Sequence, residues 1–464
     1  MPETRSALPA PSASDPPIGG EGSARGPFRN LFRDTLWQIA GGLGVTVVNV
    51  GMCMAAVRLL GRDAFGAFGL VHTVAVFCSF FLGFGAKNTL TILAGRSRYQ
   101  KKDTVVGSCY IYLVATAIAT WLLVQIDPPG PGSRLMSGLS PGLSLLIVFY
   151  TATFAFFPLW GSMLRGADRH RSASVLRFGS QAALASGVIL GICFGGDYVG
   201  ALWGGAVGMC LLAVGVTAVG VVRWGFRLPG LKPFVRAGAS VGVRSYLASV
   251  AEVTVEAFGI FYLAAIGDLV GVAAIVGCQR MAAVLSKPAQ IVNLVLKGKV
   301  AGQASGEQEA KRVLQLSRFT FLFGVLASLP LLLFARRFTL LTLGKGFEDA
   351  VLVMVLVLLT QALRAHAAPA CGFLVGKGCP TVYLVLRIAV LAWTVAGVLL
   401  LGPTWGAVGV ALVQCVISLV TAVLVSGVLA GEAKSVRSVF VGDDLLLLGR
   451  LFVLRSLLFH LKRA

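Results

Sequence analysis

Apolar residues come in long runs broken by short segments rich in Gly, Arg and Lys. The runs do not alternate with period two, so they do not describe the strands of a membrane barrel. Each is long enough to cross roughly 30 Å of hydrocarbon as a helix at about 1.5 Å per residue. Twelve spans are predicted, at 38–57, 66–93, 104–125, 142–161, 175–195, 199–222, 245–266, 270–296, 313–334, 350–375, 381–401 and 406–430. A Leu-rich stretch at 445–461 is interrupted by Gly449, Arg450 and Arg455. It reads as a helix lying in the interface rather than a thirteenth span. Residues 1–27, rich in Pro, Ser, Gly and Ala, read as a disordered tail.

Composition agrees with this pattern. Apolar residues make up 56% of the chain, charged residues only 13%, and the mean hydropathy is +0.84. An ordinary soluble protein carries roughly 25% charged residues, so this chain lacks the polar surface of a soluble fold. The formal charge of +21 is scattered through the short loops and does not form the basic face of a nucleic-acid module. Of the 40 Lys and Arg, 30 fall on the N-terminal side of the predicted membrane, 6 on the other side and 4 within spans. That bias places both termini in the cytoplasm. The nine cysteines show no CxxC and no metal-ligand spacing, and are expected to be small buried side chains.

Landmarks recur at a near-constant offset. Gly61-Arg62-Asp63 and Gly267-Asp268, and then Gly200-Ala201 and Gly406-Ala407, stand 205 or 206 residues apart. Leu164-Arg165-Gly166 with Arg177 parallels Leu374-Val375-Gly376 with Arg387 at offset 210. The expected organisation is an all-α polytopic membrane protein of two related six-helix bundles. Its parts are a cytoplasmic N-tail (1–30), a first bundle (31–222), a cytoplasmic linker (223–244), a second bundle (245–430) and a cytoplasmic tail with an interfacial helix (431–464). Two halves of equal topology imply an axis along the membrane normal and a site near the midplane between them, an arrangement found mainly in transporters.

The segment Leu59-Leu60-Gly61-Arg62-Asp63-Ala64-Phe65-Gly66-Ala67-Phe68-Gly69-Leu70 resembles the corresponding turn of polysaccharide flippases of the Wzx type, within the multidrug/oligosaccharidyl-lipid/polysaccharide (MOP) exporter superfamily. Leu340-Leu341-Thr342-Leu343-Gly344-Lys345-Gly346-Phe347-Glu348-Asp349-Ala350 is similar to that family's segment leading into span ten. The resemblance covers about residues 30–430. It implies a MATE-like pair of bundles around a cavity that opens alternately to either side. It also implies a polyprenyl-pyrophosphate-linked oligosaccharide as cargo, location in the inner (cytoplasmic) membrane, no cofactor, and a place beside other polysaccharide-assembly proteins.

Charged residues inside spans are costly and point to a cavity or a partner. Arg280 and Lys287 lie two turns apart on one face of span eight, ahead of Pro288. Lys87 and Asn88 lie in span two, and Arg364 and His366 in span ten. A cluster of cations suits an anionic head group such as pyrophosphate. The alternative for each cation is snorkelling to the interface or pairing with a glutamate. Arg364 and His366 are roughly 200° apart around the helix and do not share one cavity. Glu252 and Glu256, one turn apart in span seven, form either a proton- or sodium-coupling site or an ion pair with Arg280 or Arg244. Gly200, Gly204 and Gly208 form a stripe suited to close helix packing.

Four Lys or Arg against two Glu within spans favour an anionic cargo. The expected function is therefore a flippase for a lipid-linked oligosaccharide, without metal, nucleic acid or organic cofactor. The first alternative is a multidrug cation antiporter of the same fold. A polysaccharide polymerase or ligase is disfavoured, because the outer loops are short and no nucleophile–base pair is apparent.

Overall fold

Two glycines turn the longest helices into pairs of spans. In the computed structural model, which describes residues 26–81, 102–125, 141–166, 169–225, 231–300, 307–376 and 380–432, helix α1 runs Gly26–Phe81. It breaks at Gly61, where φ is 76°. Only glycine adopts that left-handed value freely. The apolar part of α1, Trp37–Phe81, is 45 residues long. At about 1.5 Å per residue that is roughly twice the hydrocarbon thickness, so the break separates spans one and two.

The helices that follow are α2 Lys102–Gln125, α3 Pro141–Gly166, α4 His170–Gly195, α5 Tyr198–Trp224, α6 Leu231–Ala265, α7 Leu269–Val300 and α8 Glu307–Leu333. A short helix α9 Ala335–Leu343 and a 3₁₀ turn Lys345–Ala350 then lead into α10 Val351–Gly376. The last described helix, α11 Pro380–Glu432, breaks at Gly406 with φ 51°. Among the described residues nine helices are long and apolar enough to cross a membrane. With the two breaks, and with α2 added, they supply the twelve spans. Most of the expected linker, residues 231–244, is already helical within α6. Lys87, Asn88, the N-terminal 25 residues and the stretch 433–464 lie outside the described residues.

The repeat is visible in the backbone. Gly61 and Gly267 both have positive φ, at 76° and 83°, just before spans two and eight. Separately from the repeat, Asp197 and Asp268 each accept a hydrogen bond from the backbone N–H three residues on, at 2.7 Å, and so cap the start of α5 and α7.

Helix packing follows the small residues. On α4, a Cβ at Gly187 would overlap the carbonyl oxygen of Gly204, and one at Gly191 that of Gly200. The stripe on α5 therefore lets two backbones touch, as expected for membrane helices. The halves meet mainly where α1 crosses α7, with α6 also against α1. There Gly66 lies against the Leu269 carbonyl and Gly69 against Val276. The outward faces stay apolar: Phe194 is 88% exposed and Val222 86%. Such a surface is stable only in lipid. Of the cysteines, Cys53, Cys78, Cys109, Cys278 and Cys371 are buried, Cys210 and Cys415 half-buried and Cys193 exposed.

Candidate functional site

Arg280, on α7 of the second half, reaches across to the first. Its guanidinium carbon lies 5.9 Å from the Phe68 ring centroid. Its charge is felt by Cys53, His72 and Tyr150, all on first-half helices. His72 Nδ1 and the Tyr150 hydroxyl are 2.9 Å apart, and Phe154 packs edge-on to the imidazole. Arg280 thus sits at an aromatic wall, and one of its buried guanidinium nitrogens has no hydrogen-bond partner among the described residues. The glutamates are not its partners, since Glu256 pairs with Arg364 and Glu252 with Arg387.

Lys287 lies two turns further along α7. Its ammonium donates to Gln290 Oε1 at 3.1 Å. It feels the charge of Arg177 from the first half and of Glu256 from the second. Arg177 in turn acts on Arg165. Both arginines, counted as loop residues in the sequence, belong to helices α4 and α3. Arg280, Lys287 and Arg177 therefore place positive charge along the contact between the halves, with no ion pair among the described residues.

The glutamates are paired, though not as expected. Glu256 Oε1 accepts from Arg364 Nη1 at 2.8 Å, with the side chains 54% and 24% exposed. Glu252 Oε1 accepts from Arg387 Nη2 at 2.7 Å, and its other oxygen from the Tyr383 hydroxyl at 2.9 Å. Arg387 Nε also donates to that hydroxyl, at 3.1 Å. Arg364 is thus not a lone cavity cation, since Glu256 neutralises it. The side chain of Arg244 lies outside the described residues. His366 points away from this group. Its ring nitrogens meet the Ser317 carbonyl at 3.1 Å and the Ser426 hydroxyl at 2.7 Å, within the packing of α8, α10 and α11. The divergence of Arg364 and His366 follows from their spacing.

At the opposite end of the interface a second link escaped sequence reading. Arg62 pairs with Asp349 at 2.6 Å and lies 5.1 Å over the Phe347 ring. Arg58 donates to the Leu341 carbonyl at 2.6 Å. The Gly61 turn of the first half is thereby tied to the segment 341–349 of the second. Both glycine-rich segments were visible in the sequence; their contact, across more than 280 residues, was not.

This architecture defines a class. It matches the inward-facing conformation of a multidrug resistance MATE family transporter of the MOP superfamily, at TM-score 0.64 and 15% identity, over 87% of this chain and 100% of that one. It also matches the lipid II flippase MurJ in an inward closed conformation, at TM-score 0.63 and 13% identity, over 89% of each chain. A Vibrio cholerae MATE transporter aligns at TM-score 0.57 and 15% identity, over 89% and 98%. At such identities the likeness is one of fold. No curated protein sequence matches the chain. Residues 31–266, just over half of the sequence, match the polysaccharide biosynthesis protein family, and the chain belongs to that family.

Proposed function

We propose that this protein flips a lipid-linked oligosaccharide with a diphosphate head group across the cytoplasmic membrane, by rocking residues 31–222 against 245–430. Both termini lie in the cytoplasm in this reading. The observation that carries it is Arg280, a cation between the halves with no carboxylate partner among the described residues. Charge at membrane depth is expensive and persists where it serves a pathway or a ligand. Lys287 and Arg177 add charge of the same sign, and a diphosphate would neutralise the group through charge-assisted hydrogen bonds. Membership of the polysaccharide biosynthesis family supports a glycan cargo, and the flippase MurJ shares the fold.

Arg364 and Glu256 have a different place in the cycle. Their pair is partly open, so an incoming phosphate can compete with Glu256 for Arg364. The released carboxylate is then free to take up a proton or a sodium ion. Lys87 and Asn88 remain candidates for the same head group. The cycle needs no covalent chemistry and no cofactor.

The test is flipping of a fluorescent polyprenyl-diphosphate oligosaccharide in liposomes containing the purified protein. Arg280→Ala should lower the rate at least tenfold, and Arg280→Lys should restore part of it. Wild-type rates with Arg280→Ala would sink the assignment. A second reading, export of organic cations, is favoured by the half-exposed carboxylates of Glu252 and Glu256. Uptake of a cationic dye, abolished by Glu256→Gln, in protein that flips no glycolipid would establish it instead.

A further inference from the structure

Helices α3, α4 and α5 surround an open space at their arginine-rich ends. They leave a groove of about 760 Å³. Its walls are apolar, and Val175 and Val219 at its mouth are 58% and 56% exposed toward the lipid side. Glycines make the room: a side chain at Gly215 would meet nothing within 4 Å. One end is polar and of a single sign, lined by Arg169, Arg171 and Arg223. None of the three has an acidic partner among the described residues. Arg169 lies 5.3 Å over Trp224, which stacks on Trp160 at 5.8 Å, and Arg171 lies 4.8 Å over Trp37.

Two further features are incomplete without a ligand. Trp160 is 2% exposed and lines the groove, yet its indole N–H has no partner among the described residues. Helix α4 begins beside Arg169 with no side-chain cap, so its first N–H groups add positive potential. The C-terminal end of α5 works against this, and Arg223 in its last turn offsets it.

We propose that this groove binds an anionic phospholipid from the leaflet on the arginine-rich side. The phosphate lies among Arg169, Arg171 and Arg223, an ester oxygen accepts from Trp160 Nε1, and one acyl chain runs past Gly179 and Gly215. The charge selects the head group: a zwitterionic lipid brings its own ammonium beside the three arginines, whereas an anionic lipid adds negative charge alone. The apolar length selects a lipid over free phosphate, which would leave the groove unfilled. Tryptophan and arginine together mark the depth at which head groups meet hydrocarbon. The site is separate from the contact between the halves and does not depend on what the protein transports.

Delipidated full-length protein, offered phosphatidylglycerol and phosphatidylcholine with the same chains, tests this by native mass spectrometry. Three basic contacts make the expected preference for phosphatidylglycerol on the order of 100-fold. The triple variant Arg169→Gln, Arg171→Gln, Arg223→Gln should erase the preference. Gly215→Leu keeps the arginines, enters open space and should weaken binding of both lipids at least tenfold. Arg336→Gln with Arg337→Gln, exposed on α9, should change neither. Equal binding of the two lipids, or a preference that survives the arginine substitutions, overturns the proposal. So does phosphatidylglycerol binding that Gly215→Leu leaves intact, or that inorganic phosphate alone displaces.

Discussion

Helices α4 and α5 occupy the same place in the repeat as the two arms of α11, yet the two pairs hold together by different means. In the first half, Gly187 and Gly191 meet Gly200 and Gly204 backbone to backbone. At the offset of 206 residues that relates Gly200 to Gly406, Gly204 becomes Val410 and Gly208 becomes Gln414. Val410 is fully buried and presses on Gly259 of α6, so the small residue has moved to the neighbouring helix. Gln414, 2% exposed, accepts from Gln279 of α7 at 3.1 Å. The second half also carries the Glu252–Arg387 and Glu256–Arg364 pairs. The duplication thus left α4 and α5 joined along a run of glycine backbone, whereas the arms of α11 touch in this way where Gly409 meets the Leu401 carbonyl and the second half adds the ion pairs that a proton or an anion can disturb.

The sharpest way to break this comparison is to put the same side chain, leucine, into both places. Gly204→Leu drives a side chain into the Gly187 carbonyl and the Gly191 backbone. Backbone cannot yield as a side-chain tip does, so the helices must separate, at a cost of about 3 kcal/mol or more. Val410→Leu at the equivalent position changes one buried side chain for a slightly larger one and should cost less than about 1.5 kcal/mol. Unfolding in mild detergent followed by denaturant titration reads both. Equal losses would mean that the glycine stripe is not what fastens the first half.

The second comparison lies within the ion pairs. Arg387 is 14% exposed against 24% for Arg364, and Glu252 and Tyr383 both bond to it. Glu252→Leu strands a largely buried guanidinium and should cost about 2 kcal/mol, discounted from the fully buried case because Glu252 itself is 44% exposed. Glu256→Leu should cost under about 1 kcal/mol, because its pair is more open. Stability and transport should therefore separate: Glu252→Leu lowers the unfolding midpoint, while Glu256→Leu leaves it nearly unchanged and alters the flipping rate. A midpoint equally sensitive to both would erase the distinction between a fastening pair and a working pair.

The fold was legible because lipid imposes it: helix length, loop charge and glycine turns are local properties. Gly61 and Gly267 were readable as turns, and the structure gives both the left-handed φ their role needs. The site was legible only in part. Span eight was found through its two cations, since a charge within an apolar run stands out. Arg387 and Arg177 did not stand out, because each lies near a span's end and reads as a loop residue in a one-dimensional count. The helix of Arg177 begins earlier than the hydropathy does, at His170. The pairing of Glu252 and Glu256 with Arg387 and Arg364, rather than with Arg280, escaped for a different reason. Arg280 shares their half of the chain, but which face of α7 turns toward α6 depends on packing. The packing turns Arg280 toward Phe68 instead.

The smallest effect tests the finest point of the comparison, the polar substitution for Gly208. Gln414 has one satisfied oxygen, bonded to Gln279, and a buried amide nitrogen with no partner among the described residues. Gln414→Leu removes the bond and the unpaired donor together, so its two consequences oppose each other. Gln279→Leu removes the bond and leaves the whole Gln414 amide buried without a partner. Interhelical hydrogen bonds in membranes average about 0.6 kcal/mol in double-mutant cycles. The coupling between these two residues should be of that size, and Gln279→Leu should be the more destabilising single change. If Gln414→Leu were instead the costlier, its amide nitrogen must find a partner in the native membrane, most simply a bound water. The second half would then carry a hydrated polar site where the first half carries only backbone.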